Sequence, residues 1–124
     1  MCRKFKPKSV LITGASSGIG KALSLQYAQK GIVLHLCGRN KNRLKDVENL
    51  CHQKGAKVFT YLFDTTDEKN AEKAIQKAYQ KAPLDLVIAN AGVSGGVLGT
   101  DETPLSVRQI MQTNVFGTLN TVLP

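Results

Sequence analysis

Thr13-Gly14-Ala15-Ser16-Ser17-Gly18-Ile19-Gly20, TGASSGIG, follows the apolar run Val10-Leu11-Ile12 and precedes a segment with helical periodicity. Gly14, Gly18 and Gly20 leave the backbone bare where a strand gives way to a helix. A helix N-terminus offers unpaired N–H groups and the positive end of the helix dipole. Glycine lets the chain turn tightly and lets an anion approach the backbone. The stretch therefore reads as a cradle for a phosphate-bearing cofactor; the alternative is a plain tight turn between strand and helix. Its spacing, T-G-x-x-x-G-x-G, is not the G-x-G-x-x-G usually associated with dinucleotide binding. The surrounding chain has to decide.

Outward from that loop, strands and helices alternate. Residues 8–13 form an apolar strand, and a helix is expected from Gly18 to Lys30 with Ile19, Ala22, Leu23 and Tyr27 on one face. Gly31 closes it. A strand over 32–37 follows, then a helix from Asn40 to Lys54 with Leu44, Val47, Leu50 and Cys51 on one side. Gly55 closes that helix in turn. A third strand is expected over 57–63 and a third helix over 67–82, with Thr66 as N-cap and Ala71, Ala74, Ile75 and Ala78 facing inward. Pro83 stops it, and residues 84–89 give a fourth strand. After a loop over 90–102, Thr103-Pro104 reads as an N-cap followed by proline at the first helical position. Val107, Ile110, Met111, Val115, Leu119 and Val122 then trace one stripe. The order implies an α/β fold of Rossmann type, a doubly wound parallel sheet in one domain over residues 1–124.

The composition is that of an ordinary soluble domain. Of 124 residues 42% are hydrophobic, and no apolar run approaches the roughly 18 residues of a membrane span. The basic N-terminus lacks the apolar core of a signal peptide, so a cytoplasmic protein is the expectation. Cys2, Cys37 and Cys51 read as reduced thiols. His35 and His52 belong to no partner motif, and no metal site is expected. The net charge of +8 comes from dispersed cations, with Lys69, Lys73, Lys77 and Lys81 on the solvent side of the third helix. No aromatic side chains are interleaved with them as stacking platforms. A solvated lysine-rich surface is expected, not a nucleic-acid site.

The end of the second strand selects the cofactor. A carboxylate there suits the ribose 2′-hydroxyl of NAD, and an arginine suits the 2′-phosphate of NADP. The sequence reads Cys37-Gly38-Arg39-Asn40, with an arginine and no acid. A guanidinium is shaped for bidentate phosphate binding, which favours NADP(H) over NAD(H). A surface arginine on a polar turn is the alternative.

Four stretches together resemble the N-terminal half of a short-chain dehydrogenase/reductase: TGASSGIG, FDTTD at 63–67, ANAG at 89–92 and MQTNVFG at 111–117. The resemblance implies that Gly14, Gly18 and Gly20 line the pyrophosphate. It places Ser16, Ser17 and Ile19 on the cofactor, Ile19 toward the nicotinamide. Arg39, with Asn40 beside it, would take the 2′-phosphate. Asp64, next to Thr65, would accept from the adenine amino group, its alternative being a loop or capping aspartate. Asn90, Ala91 and Gly92 would pass beneath the ribose, with a simple strand-ending turn as the alternative. Ala89 replaces an asparagine of the family pattern. Asn114 corresponds to the proton-relay asparagine. It shares a helix face with residues 107, 110, 111, 115 and 118, so a buried amide is expected, satisfied either by core partners or by a relay water.

The family's reaction is hydride transfer between the nicotinamide and a small carbonyl or alcohol. It uses a serine and a Tyr-x-x-x-Lys pair. Four residues after Tyr27, Tyr61 and Tyr79 stand Gly31, Thr65 and Pro83, so no such pair occurs here. The resemblance thus implies a cofactor-binding half without its catalytic half, and an inactive chain on its own. Its fourth strand and last helix would be open to self-association or to a companion chain. The rival reading is an interaction fragment, half of a split enzyme, or the product of an interrupted gene.

Overall fold

The computed structural model describes residues 4–94 and 102–124, so Cys2 and much of the expected loop at 90–102 lie outside the described residues. β1 (Ser9–Thr13) runs parallel to β2 (Val33–Gly38), with Val10 opposite Leu34 and Ile12 opposite Leu36. β3 (Lys57–Leu62) adds to the far side of β2, and β4 (Leu86–Ile88) to the far side of β1. The order β3-β2-β1-β4 is the doubly wound arrangement expected from the sequence.

Burial follows from the two covered faces. Every residue of β1 is buried, as are all of β2 after Val33, which is why both read as continuous apolar runs. On one face Val10, Ile12, Leu34 and Leu36 pack with Leu44, Val47 and Cys51 of α2 (Lys41–Gln53), and with Leu23 and Tyr27 of α1 (Gly18–Tyr27). On the other, Leu11 and Cys37 meet Ile75 and Ala78 of α3 (Glu68–Lys81). Lys69, Lys73, Lys77 and Lys81 are exposed, as expected of a solvated face.

Several boundaries differ from expectation. α1 stops at Tyr27, not Lys30. The Ala28 N–H donates to the Ser24 carbonyl, and a tight turn through Gly31 (φ 88°) brings the Ile32 N–H to the Gln29 carbonyl. Ala22 and Leu50, expected to face inward, are exposed. The N-cap of α3 is Asp67, whose carboxylate accepts from the Asn70 N–H; Thr66 instead turns back onto Asp64. β4 is only three residues long.

His35 is fully buried within the sheet on the α3 side. Its Nε2 lies 3.4 Å from Ser9 Oγ, its Nδ1 lies 3.1 Å from Tyr61 Oη, and its ring stacks on Phe59. Burial, aided by the charge of Lys81, lowers its pKa to about 4. Burial also pushes the Tyr61 phenol up to about 12, with Cys37 adding to the effect.

The final helical segment carries the largest correction. α4 (Pro104–Met111) begins with a capping box between Thr103 and Ser106, and Pro104 stands where the sequence puts it. A π-helical turn, Gln112–Phe116, then separates it from α5 (Gly117–Val122). The expected stripe packs inward neither before this turn nor after it. Val107, Met111, Val115, Leu119 and Val122 remain 41–52% exposed. The inward positions are the small ones: Gly117 and Thr121 are buried, and the Asn120 amide donates to the Thr65 carbonyl. A Cβ on Gly117 would stand 2.7 Å from Thr65 Oγ1, so small size is what lets this helix approach the loop between β3 and α3.

Candidate functional site

At the C-terminal ends of the strands lies an open cleft of about 670 Å³. This is where ligands bind in open α/β sheets. The glycine loop forms its floor. Gly14 adopts φ 63°, and a Cβ there would stand 2.9 Å from Ala91 Cα. A Cβ on Gly20 would overlap the Gly14 carbonyl oxygen and come within 2.6 Å of Asn90 Nδ2. Gly14 and Gly20 therefore let α1 close onto the loop, with Gly20 buried beneath the cleft wall and not on it.

Ser16, Ser17, Gly18 and Ile19 all line the cleft beside Gly14. Ile19 is 73% exposed, unlike the core residue its helical periodicity suggested. Ser17 is the N-cap of α1 by position, yet its side chain makes no capping bond. By contrast α2, α3 and α4 are capped by the side chains of Asn40, Asp67 and Thr103. The first amides of α1 are thus left without a side-chain acceptor at the cleft, which is the arrangement that receives an anion.

A network joins the glycine loop to the end of β4. Thr13 Oγ1 accepts from the backbone N–H groups of both Asn90 and Ala91, each at 3.1 Å. Asn90 Nδ2 donates to the carbonyls of Thr13 and Gly14. Asn90 and Ala91 therefore brace the loop as well as lining the cleft with Gly92. Thr13 was missed by sequence reasoning: its partners lie 77 and 78 residues away, and nothing local marks it.

Arg39, Asn40, Asp64 and Thr65 form the opposite end of the cleft. Asn40 Oδ1 is taken by the Arg43 N–H at 3.0 Å. Arg39 and Asp64, expected to serve different parts of the cofactor, are paired with each other at 3.5 Å. Burial opposes ionisation of Asp64, but the N–H and hydroxyl of Thr66, with Arg39, outweigh it. Its carboxyl is held below the usual range. Arg43, Cys37, Phe63, Val93 and Thr113 also line the cleft and were not anticipated. Burial pushes the Cys37 thiol far above its ordinary range, so it is an inert wall residue.

Asn114 sits in the π-helical turn and does not line the cleft. It is exposed, contrary to the buried amide expected of it, because the stripe that carries it faces outward. Its side chain clamps a cleft residue all the same. Oδ1 accepts from the Val93 N–H and Nδ2 donates to the Val93 carbonyl, each at 2.8 Å. No His, Cys, Asp or Glu cluster fit for a metal occurs among the described residues, and no helix there is long and apolar enough to cross a membrane.

This architecture is that of a known family. The pattern of the short chain dehydrogenase family matches residues 8–123, and the chain belongs to that oxidoreductase family. An uncharacterized oxidoreductase of Myxococcus xanthus is 37% identical over 122 residues, covering 94% of this chain and 48% of its own length. A short chain dehydrogenase from Mycobacterium paratuberculosis, solved bound to NAD, superposes with a TM-score of 0.85 at 27% identity, over 94% of this chain and 48% of that one. An alcohol dehydrogenase from Thermococcus sibiricus, solved with 5-hydroxy-NADP, gives 0.84 at 28% identity, over 94% and 50%. The chain thus spans about half the length of these relatives, and they include proteins bound to either kind of dinucleotide.

Proposed function

We propose that this chain is the nicotinamide-dinucleotide-binding half of an oxidoreductase acting on an alcohol/carbonyl pair, with NADP(H) preferred to NAD(H). The observation that carries the reading is the uncapped N-terminus of α1 on a glycine floor. Its free amides would hold the pyrophosphate, with Ser16 and Ser17 adding hydroxyl donors. Asp64 is held ionised and would accept from the adenine amino group. Asn90, Ala91 and Gly92 would lie under the ribose, and Ile19 would meet the nicotinamide end. The absence of a carboxylate at Gly38-Arg39-Asn40 supports the preference for a 2′-phosphate.

When bound, the dinucleotide would give or take a hydride at its nicotinamide ring. The residues here bind and orient it. Asn114 stands at the relay position and anchors Val93 on the cleft wall. The proton-transferring Tyr-x-x-x-Lys pair is not in this sequence, so the chain alone is expected to bind without turning over. Titration with NADPH and NADH, followed by fluorescence and thermal unfolding, tests this. Binding raises the unfolding midpoint by mass action. A larger rise with NADPH supports the reading. No response to either dinucleotide, or carbonyl-dependent NADPH oxidation that copurifies with the chain, contradicts it.

A further inference from the structure

The cations are dispersed along the chain, but the fold gathers many of them at the edge of the sheet where the strands begin. Lys8 precedes β1 and Lys57 opens β3, and the backbone sets them in one row. The Val33 N–H donates to the Lys8 carbonyl, and the Lys57 N–H to the Ile32 carbonyl. Lys54 is the C-cap of α2, and the Lys30 backbone lies 3.4 Å from where a Cβ on the neighbouring Gly55 would stand. Lys81 ends α3, with its ammonium 4.4 Å from the centre of the Phe59 ring, which the Lys57 ammonium approaches at 5.5 Å. Lys4 and Lys6 extend this edge along the arm that leads into β1. All these lysines are exposed, and none pairs with a carboxylate among the described residues. Asp85 is an acid at the same edge, but its Oδ2 already accepts from the N–H groups of Lys8 and Ser9. Asp64, Asp67 and Glu68 stand at the opposite edge, with the cleft.

The kind of cation and one apolar side chain point to the partner. The described arginines, Arg39, Arg43 and Arg108, line clefts at the opposite edge. The basic edge therefore offers compact, hydrated ammonium groups and no planar fork among the described residues. Such charges are drawn to a diffuse anionic surface without selecting one phosphate geometry. Phe5, 68% exposed between Lys4 and Lys6, adds an aromatic ring at the same edge. A ring among lysines is suited to the boundary between lipid headgroups and acyl chains. A single ring gives no succession of stacking platforms for a nucleic-acid strand. We propose that this lysine edge, with Phe5, is a docking surface for an anionic lipid membrane. The dinucleotide cleft lies at the other edge of the sheet and would stay open to solution. The proposal goes beyond the cofactor reading and stands without it.

The test is co-sedimentation of the full chain with vesicles of phosphatidylcholine alone and of phosphatidylcholine with phosphatidylserine. Two variants remove charge from the edge: Lys57→Gln with Lys81→Gln, and Lys4→Gln with Lys6→Gln. The second pair lies outside every helix and strand, so it leaves the fold intact. Lys69→Gln with Lys73→Gln is the control for general charge, since both are exposed toward the start of α3. Binding is expected to the phosphatidylserine vesicles only and to fall steeply with salt. Each edge lysine contributes about fivefold, so each edge pair should weaken binding at least about tenfold, and the control pair less than about threefold. Phe5→Ser should weaken it about fivefold and leave the salt dependence in place. No binding to phosphatidylserine vesicles, equal binding to neutral ones, or equal losses in the Lys4/Lys6 and control pairs overturns the proposal. Tighter binding to a DNA duplex than to vesicles at equal phosphate concentration overturns it in favour of nucleic acid.

Discussion

The two ends of this chain place their apolar residues in opposite ways. In β1 and β2 the apolar side chains are buried on both faces of the sheet, and Leu11, Ile12, Leu34 and Leu36 have no exposed surface. In the last helical segment the large apolar side chains face outward, and Gly117 and Thr121 are buried where α5 packs against α3 and Thr65. The first region is held by large apolar packing, and the second by the close approach of Gly117 and Thr121 and by hydrogen bonds through Asn114 and Asn120. The cleft is built where the two meet. Its glycine floor belongs to the packed region, while Val93 and Thr113 belong to the loosely held one.

The sharpest way to break that contrast is to remove the same side chain from each region. Leu36→Ala should leave a cavity in the sheet core and lower stability by about 3 kcal/mol. Leu119→Ala, on the exposed stripe, should cost no more than about 0.5 kcal/mol. Urea unfolding of both variants measures the pair, and equal losses would erase the distinction.

Acid probes the packed region through His35. The fold lowers its pKa from 6.5 to about 4, so the folded state binds fewer protons than the unfolded chain between those values. Its contribution is complete above about pH 6.5, falls as the pH drops, and is lost by about pH 4. The full effect is on the order of 3 kcal/mol. Replacing His35 by Gln should flatten that part of the stability–pH curve, as read from thermal unfolding in a buffer series.

Smaller effects are expected at the seam. Asn90→Ala removes the amide that spans the Thr13 and Gly14 carbonyls and should cost about 2 kcal/mol, with weaker dinucleotide binding. Asn114→Ala releases Val93 at an exposed position, and about 1 kcal/mol is expected. Hydrogen exchange should then show faster opening of the Val93 amide while β1 keeps its protection.

What the sequence made legible follows the same division. The order of elements, the parallel sheet and the glycine floor could be read because buried strands are apolar throughout and Gly14 and Gly20 answer to backbone contacts. The last helix misled for a physical reason. Its period suggested one inward apolar face, but the close approach to Thr65 leaves room only for small side chains, so Gly117 and Thr121 are buried and the apolar stripe is exposed. Thr66 looked like a cap because it precedes a helix, but Asp67 has the better acceptor and Thr66 is drawn to Asp64. Thr13 and the Arg39–Asp64 pair depend on approaches between distant strands, which no local pattern encodes.

The central claim is that the dinucleotide sits on the glycine floor between Arg39 and Gly92. Mapping backbone amide shifts of the labelled chain during NADPH titration tests it most directly. The account predicts saturable changes at Gly14–Ile19, Arg39–Asn40, Asp64–Thr65 and Asn90–Val93, with Val107, Leu119 and Val122 unmoved. Saturable changes centred on the exposed stripe of the last helix, or none at Gly14–Ile19, would contradict it.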